Sequence, residues 1–238
     1  MTRAYFNWSG GKDSTLALWK VLKGKEFKVE YLLTSMNTFY DRVSMHGVRR
    51  NLLEAQACSI NIPLTTIELP EEPSMTEYET ALADRVHWIK EQGITHSIFG
   101  DIFLEDLKIY REQKLQSVGI QCVFPIWQRD TRDLITEFLG EGFKAIVVCI
   151  NEKFLDKSFC GRMIDENFLN DLPSTVDACG ENGEFHSFVF DGPVFKYPIP
   201  FLKGEIVYKE YKAPENYDNL SDPKKNYGFY FCDLLPGI

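Results

Sequence analysis

Six cysteines are scattered along the chain and no two of them form a Cys-x-x-Cys pair. That spacing removes a zinc ribbon, an iron–sulfur cluster and a disulfide framework from consideration. Basic residues are also in deficit: 26 lysines and arginines stand against 35 acidic residues, for a net charge of −9. Nucleic acid is therefore not an expected partner, because phosphate-backbone binding leaves a basic footprint. No apolar run approaches the roughly 18 residues that cross a bilayer. Met1-Thr2-Arg3 leads straight into an apolar strand rather than a signal-peptide core. The expectation is a cytoplasmic protein with no membrane role. Internal repeats, low-complexity tracts and long charge runs are missing as well. So is the Walker A spacing of glycine, lysine and hydroxyl residue.

What the chain does have is alternation. Apolar, strand-like runs at Ala4–Trp8, Phe27–Thr34, Pro63–Glu68, His96–Phe99 and Gln121–Pro125 are separated by helical patterns at Ser14–Lys23, Gly47–Ser59, Thr76–Gln92 and Leu104–Val118. A βαβ series of this kind predicts an α/β fold: a Rossmann-like parallel sheet with helices on both faces, its ligands lying outside the strand carboxyl ends. Gly24 and Gly93 are expected just past helix ends. Beyond Gln128 a helix at Thr131–Leu139 and an apolar strand at Ala145–Ile150 either continue the sheet or open a second unit. From Ser174 the chain turns to aromatic-rich extended runs, Phe185–Phe190, Glu205–Tyr211 and Tyr227–Cys232, broken by Gly and Pro turns. The expected organisation is a nucleotide-binding domain over residues 1–128 and a smaller α+β domain over 129–238. The 238-residue length accommodates both.

Three constellations carry chemistry. Ser9-Gly10-Gly11-Lys12-Asp13-Ser14 lies between the first strand and the first helix. Adjacent glycines let consecutive N–H groups converge on an anion, and the following helix adds its positive end. Ser9 and Ser14 can donate hydroxyls to phosphate, Lys12 can neutralise charge, and Asp13 can hold a magnesium ion. The second constellation is Gly100-Asp101-Ile102 at the end of the fourth strand, with Glu105, Arg111 and Glu112 near one face of the next helix. The third runs from Cys179-Gly180-Glu181 to Asp191-Gly192-Pro193 in a hairpin-like setting, where Glu184 and His186 fall on one side of a strand as an acid/base pair. His46 lies in the loop after the second strand, within reach of a nucleotide; His87 and His96 read as structural. The cysteines read as buried, reduced thiols, with Cys179 the one to watch.

Together these residues resemble the diphthine–ammonia ligase family of the PP-loop ATP pyrophosphatases over most of the chain. The resemblance implies ATP and Mg2+ as cofactors, adenylation of a substrate carboxylate with release of pyrophosphate, and displacement of AMP by ammonia to give an amide. It places Ser9, Gly10, Gly11, Lys12, Asp13 and Ser14 on the ATP phosphates, and Ser35, His46 and Gly100 near the nucleotide. Asp101, Glu105, Glu184 and His186 become candidates for catalysis, and Arg111, Glu112, Cys179, Gly180 and Glu181 for substrate binding. The partners it implies are a carboxylate-bearing protein or small molecule and ammonium, and a homo-oligomer is compatible with it. Thr2-Arg3-Ala4 offers no N-terminal nucleophile for a glutaminase, which favours free ammonium as donor. The implied protein substrate is diphthine on elongation factor 2; a corrinoid-like metabolite carboxylate is the alternative. Two other classes share features: tRNA-modifying PP-loop enzymes, disfavoured by the acidic charge, and a non-catalytic ATP-binding regulator, which would have no use for the Glu184/His186 segment.

Overall fold

A computed structural model describes residues 1–211 and 227–237; 212–226 and 238, within the expected 129–238 domain, lie outside the described residues. The first half alternates β1 (Thr2–Asn7), α1 (Lys12–Gly24), β2 (Phe27–Asn37), β3 (Arg42–Val43), α2 (Arg50–Ile60), β4 (Leu64–Leu69), α3 (Met75–Glu91), β5 (His96–Ile98), α4 (Glu105–Gln116) and β6 (Gln121–Val123). β1 is central. It pairs in parallel with β2 on one side and β5 on the other, while β4 extends β2 and β6 extends β5, also in parallel. Reading across gives β4-β2-β1-β5-β6, with β3 bridging antiparallel to the far end of β2. The winding reverses between β1 and β5, so the crevice for ligands opens where those two strands end.

Side-chain alternation on β1 explains why helices cover both faces. Ala4, Phe6 and Trp8 enter one core with Leu16 and Leu18 of α1 and Leu52 and Leu53 of α2. Tyr5, pointing the other way, enters a second core with Val86 and Ile89 of α3 and Leu115 of α4. The helix ends refine the sequence reading. Gly24 remains helical and Lys25 takes the left-handed position at φ +56. α2 starts at Arg50 rather than Gly47, because Gly47 sits at φ +72 and Arg49 is bridged to Arg42 in extended backbone.

After α5 (Thr131–Gly140) comes a second, antiparallel sheet. Its strands are β7 (Lys144–Asn151), β8 (Phe185–Asp191), β9 (Phe201–Tyr211) and β10 (Tyr227–Pro236), in the order β8-β7-β10-β9. A short helix α6 (Glu166–Asp171) precedes the loop into β8. β7 is buried on both faces from Ala145 to Asn151, which accounts for its continuous apolar run. Its residues share the core of α1 and α2, so the two sheets are packed through common side chains. β8 pairs with β7, not with a strand just before it. The Gly-Glu-Asn-Gly segment therefore belongs to the loop between α6 and β8 and is not the expected hairpin turn.

An ion-pair clamp adds to that packing. Asp233 of β10 accepts bonds from Arg42 Nη1 at 2.8 Å and from Arg49 Nε and Nη2 at 3.0 and 2.7 Å. Burial alone would raise the Asp233 pKa, but the bonds from Arg49 and Arg42 outweigh it and hold the carboxyl down to about 2. Replacing Asp233 with Asn is expected to cost ~1–3 kcal/mol in urea unfolding near neutral pH, toward the lower end because the pair is partly exposed. A carboxyl held down in the folded state contributes fully above its ordinary value of about 4. Its contribution fades as pH falls toward about 2. The gap between wild type and Asp233→Asn should therefore close over that interval, and a gap independent of pH would contradict the clamp.

Candidate active site

The Ser9–Ser14 loop follows β1 at the switch point. Gly10 adopts φ +77, and a Cβ there would lie 2.6 Å from Gln56 Oε1, so the glycine is fixed both by conformation and by close packing. Gly11 caps α1 without a side-chain bond. Ser9 Oγ accepts from Gly11 N at 3.2 Å and lies 3.0 Å from Ser14 Oγ. Ser14 and Thr15 hydroxyls both donate to Gly11 O, at 3.0 and 2.8 Å. The amides of Asp13 and Ser14 belong to the first turn, where helix geometry supplies no intrahelical acceptor. They and the positive helix end form an anion cradle.

Strand β8 of the second sheet locks this loop from the side. Val189 N donates to Gly10 O at 2.9 Å. Lys12 N donates to Ser187 Oγ at 3.1 Å, and Gln56 Nε2 bridges Gly10 O and Val189 O at 3.0 and 2.6 Å. The Lys12 side chain is almost wholly buried. Its ammonium donates to Asp13 Oδ2 at 2.8 Å and to the Cys179 carbonyl, and lies 4.9 Å from the Phe185 ring centre. Burial opposes the charge, yet Asp13 and its other acidic neighbours win and raise the Lys12 pKa. Lys12 thus ties α1 to the second unit.

The opposite wall is acidic. A Cβ on Gly100 would stand 2.9 Å from Ser14 N and Cα, so only glycine lets the β5–α4 loop lie against the first turn of α1. Asp101 follows directly. Its Oδ2 is buried without a hydrogen-bond donor, because Arg111 Nη1 approaches to 3.1 Å off the direction a bond requires. Glu181, from the other unit, crosses to accept Ile102 N at 2.8 Å. Burial first, and then the Asp13 charge, raise the Asp101 pKa against the pull of Arg111. Glu181 is pushed up to about 7, by burial first and then by Asp13 and Asp101, with Ile102 N and Lys12 opposing. Among the described residues no three metal-ligating side chains converge to hold an ion unaided. One or two carboxylates plus phosphate oxygens are what magnesium takes. The orphaned Asp101 oxygen, the hard-oxygen carboxylate of Asp13 and the glycine cradle fit Mg2+ with a polyphosphate.

Other expected residues are placed differently. Glu184 and His186 do not pair. The Glu184 carboxylate is buried and accepts from Asp177 N at 3.1 Å, Asn182 N at 2.9 Å and Asn182 Nδ2 at 3.1 Å, which makes it the brace of the 177–184 loop. His186 instead stacks on His46, ring centres 4.5 Å apart. Cys179 is buried, and its thiol donates to Thr131 O at 3.3 Å. Burial pushes that thiol up, which disfavours the thiolate a nucleophile requires. Gly180, at φ +67 with the Phe185 ring 2.7 Å from any added Cβ, is a tight-turn residue. Ser35 is half-buried on β2 and its carbonyl takes Ser44 N at 3.0 Å, at the root of the His46 loop. Glu105 and Glu112 are exposed on α4, whereas Arg111 turns inward. His87 and His96 are peripheral, and Cys58 is exposed, contrary to the buried reading.

Sequence reasoning missed Asp177, whose Oδ1 accepts the amides of Cys179 and Glu181 at 2.9 and 3.1 Å while its Oδ2 accepts Thr131 Oγ1 at 2.6 Å. An Asp two residues before Cys-Gly is an Asx-turn signal that would have found it. Gln56, buried in an amphipathic helix, gave no such signal.

A doubly wound sheet whose first strand ends in this glycine cradle, with carboxylates at the neighbouring strand end, defines the PP-loop class of α/β proteins. A diphthamide synthase N-terminal domain model matches residues 2–122, and the C-terminal domain model of the same name matches residues 130–218. The chain belongs to the diphthamide synthase family. It is 30% identical over 125 residues to a diphthine–ammonia ligase of Bos taurus, covering 50% of this chain and 47% of that protein. It is 29% identical over 125 residues to the Homo sapiens protein of the same name, with the same coverage. To the Danio rerio protein it is 26% identical over 163 residues, 62% of this chain and 63% of the relative. The chain thus spans about half the length of the mammalian relatives it matches.

Two substitutions probe the geometry. Gly100→Ala drives a methyl group into the backbone of Ser14, and is expected to weaken ATP binding at least ~tenfold in calorimetry, as overpacking against backbone leaves little room to relax. Unchanged affinity would mean that the two loops are not in register. Glu184→Gln removes one of the acceptors from a buried, amide-bonded carboxylate and should lower stability by ~1–3 kcal/mol in urea unfolding. Wild-type stability with lost turnover would restore a chemical role to Glu184.

Proposed function

We propose that this protein is an ATP-dependent carboxylate–ammonia ligase acting on the carboxylate of protein-borne diphthine; its relatives are named diphthine–ammonia ligases. The observation that carries the reading is the convergence at the first turn of α1: the cradle of Gly10 and Gly11, the Asp101 strand end held against Ser14 by Gly100, and Glu181 reaching across from the second unit.

In this reading the amides of Asp13 and Ser14 and the hydroxyls of Ser9 and Ser14 receive the β- and γ-phosphates of ATP. Asp13 and Asp101 would hold magnesium, which when bound would neutralise charge on the phosphate oxygens. The substrate carboxylate attacks the α-phosphorus, the bond to the bridging oxygen breaks, and pyrophosphate leaves into the cradle, whose donors are already oriented for the negative charge. Ammonia then attacks the acyl carbon and AMP departs with the electron pair of the broken C–O bond. Ammonium must lose a proton before it can attack. Glu181, with its pKa pushed up to about 7, is matched to accept one near neutral pH. Asp101 keeps its expected catalytic place, Glu181 joins it, and Glu184 is assigned to loop structure. Cytoplasmic location fits this reading; among the described residues no helix is long and apolar enough to cross a membrane.

Product analysis tests the reaction. With magnesium, ammonium, ATP and diphthine-bearing elongation factor 2, the expected products are AMP and pyrophosphate. Turnover with a corrinoid carboxylate instead would keep the chemistry and change the substrate, while ADP would overturn adenylation. Asp13→Asn should remain folded and lose pyrophosphate release by ~100-fold or more, the order found on removing one charge-stabilising group. Near-normal turnover would remove Asp13 from the metal site.

A further inference from the structure

His46 and His186 come from different units, the loop before α2 and the second residue of β8, yet their rings stack with centres 4.5 Å apart and planes inclined by 29°. They stand directly on the glycine loop: His46 Cε1 would be 3.0 Å from a Cβ on Gly11. His46 Nδ1 lies 3.4 Å from Ser187 O, the carbonyl of the residue whose hydroxyl holds the Lys12 amide. Neither ring serves the bracing of the 177–184 loop.

We propose that the His46–His186 stack is a one-proton site that fills when a polyphosphate occupies the Ser9–Ser14 loop, so that an imidazolium forms beside the bound anion. The inference rests on the reading of that loop as an ATP phosphate site.

Without an anion both rings are held neutral. Burial is the main cause, and Lys12 adds repulsion; His46 is lowered to about 4, against some help from Ser187 O, and His186 well below its ordinary value. The charged or titratable groups acting on the pair are few: Lys12 from α1, and the two rings on each other from the His46 loop and β8. Among the described residues no carboxylate is one of them. An anion at the amides of α1 would be the first negative charge this pair meets, and it would screen Lys12 at the same time. Only one proton can enter, because two imidazolium rings at this stacking distance repel strongly in a half-buried setting. His46 is the acceptor. The Ser187 carbonyl favours its Nδ1–H tautomer, which leaves Nε2 to take the proton. The proton comes from solvent on binding and returns when the anion leaves.

The linkage has a definite sign. A group whose pKa rises on binding makes affinity fall as pH rises, by up to ~tenfold per unit between the free and bound values, and flattens above the bound value. The test is calorimetry of MgATP binding to the full chain in buffers of different ionisation enthalpy, at about pH 5.5 and pH 8, values chosen around the histidine range. The nucleotide's own protonation is measured separately and subtracted. The expected result is uptake approaching one proton at the lower pH in wild type, lost in His46→Asn and retained in His186→Phe, which keeps the stack without a second titrating ring. Equal uptake in wild type and His46→Asn, or no uptake in wild type with ATP bound, would overturn the proposal and leave the ligase reading untouched. Failure of ATP to bind at either pH would overturn both.

Discussion

Everything at this site depends on β8 lying against the glycine loop. The Gly10 carbonyl is turned toward the second unit and α2, where it accepts from Val189 N and Gln56 Nε2. Ser187 Oγ likewise takes the one first-turn amide, Lys12 N, that points to the second unit. A loop of two glycines is otherwise among the most conformationally free segments a chain can contain. Here an antiparallel strand from another sheet fixes it, and so the amides that remain open are pre-oriented without help from a ligand. The same contacts bury Lys12, whose ammonium then requires Asp13 and the Cys179 carbonyl as partners. In consequence the 177–184 loop cannot be reshaped without disturbing α1. This gives a physical reason for the two carboxylates that brace it, Asp177 from one end and Glu184 from the other.

The parallel half of the fold was legible because its signals are local. β1 alternates its apolar residues, Gly10-Gly11 stands where a strand meets a helix, and Ser74 with Glu77 forms a capping box at α3. The second half was legible only as extended, aromatic-rich chain. Its sheet is built from β7, β8, β9 and β10, whose neighbours are not consecutive in sequence, and pairing of that kind leaves no short-range mark. The Glu184–His186 spacing shows the difference. Two residues apart implies one side of a strand, but β8 begins at Phe185, so Glu184 belongs to the preceding loop and bonds its amides. His46 and His186 lie 140 positions apart and meet only because β8 crosses the loop before α2. Nothing in the sequence pattern predicts that contact.

Electrostatics at the site run against stability and toward binding. Burial first, and then the Asp13 charge, raise both Asp101 and Glu181, and the Asp101 charge adds to the rise of Glu181. Two uncharged histidines stand nearby, where solvent exposure would have let them protonate more readily. A domain selected for stability alone would separate the carboxylates and bond Asp101 Oδ2. Their convergence at a helix N-terminus, next to an anion cradle, has the character of a site tuned for a ligand that carries both signs of charge: a polyphosphate with its cation. The cation relieves the carboxylates and the anion relieves Lys12 and the first-turn amides. Binding would thus settle two opposed imbalances at once, each of which the folded chain alone leaves in place. Because Glu181 and β8 come from the second unit while Asp13 and Asp101 come from the first, the ligand's charges would also bear on the junction between the two sheets. The Asp233 clamp to Arg42 and Arg49 then acts as the complementary constraint. It fixes that junction at the two arginines that flank the His46 loop, so that binding energy goes into charge compensation and not into bringing the two units together.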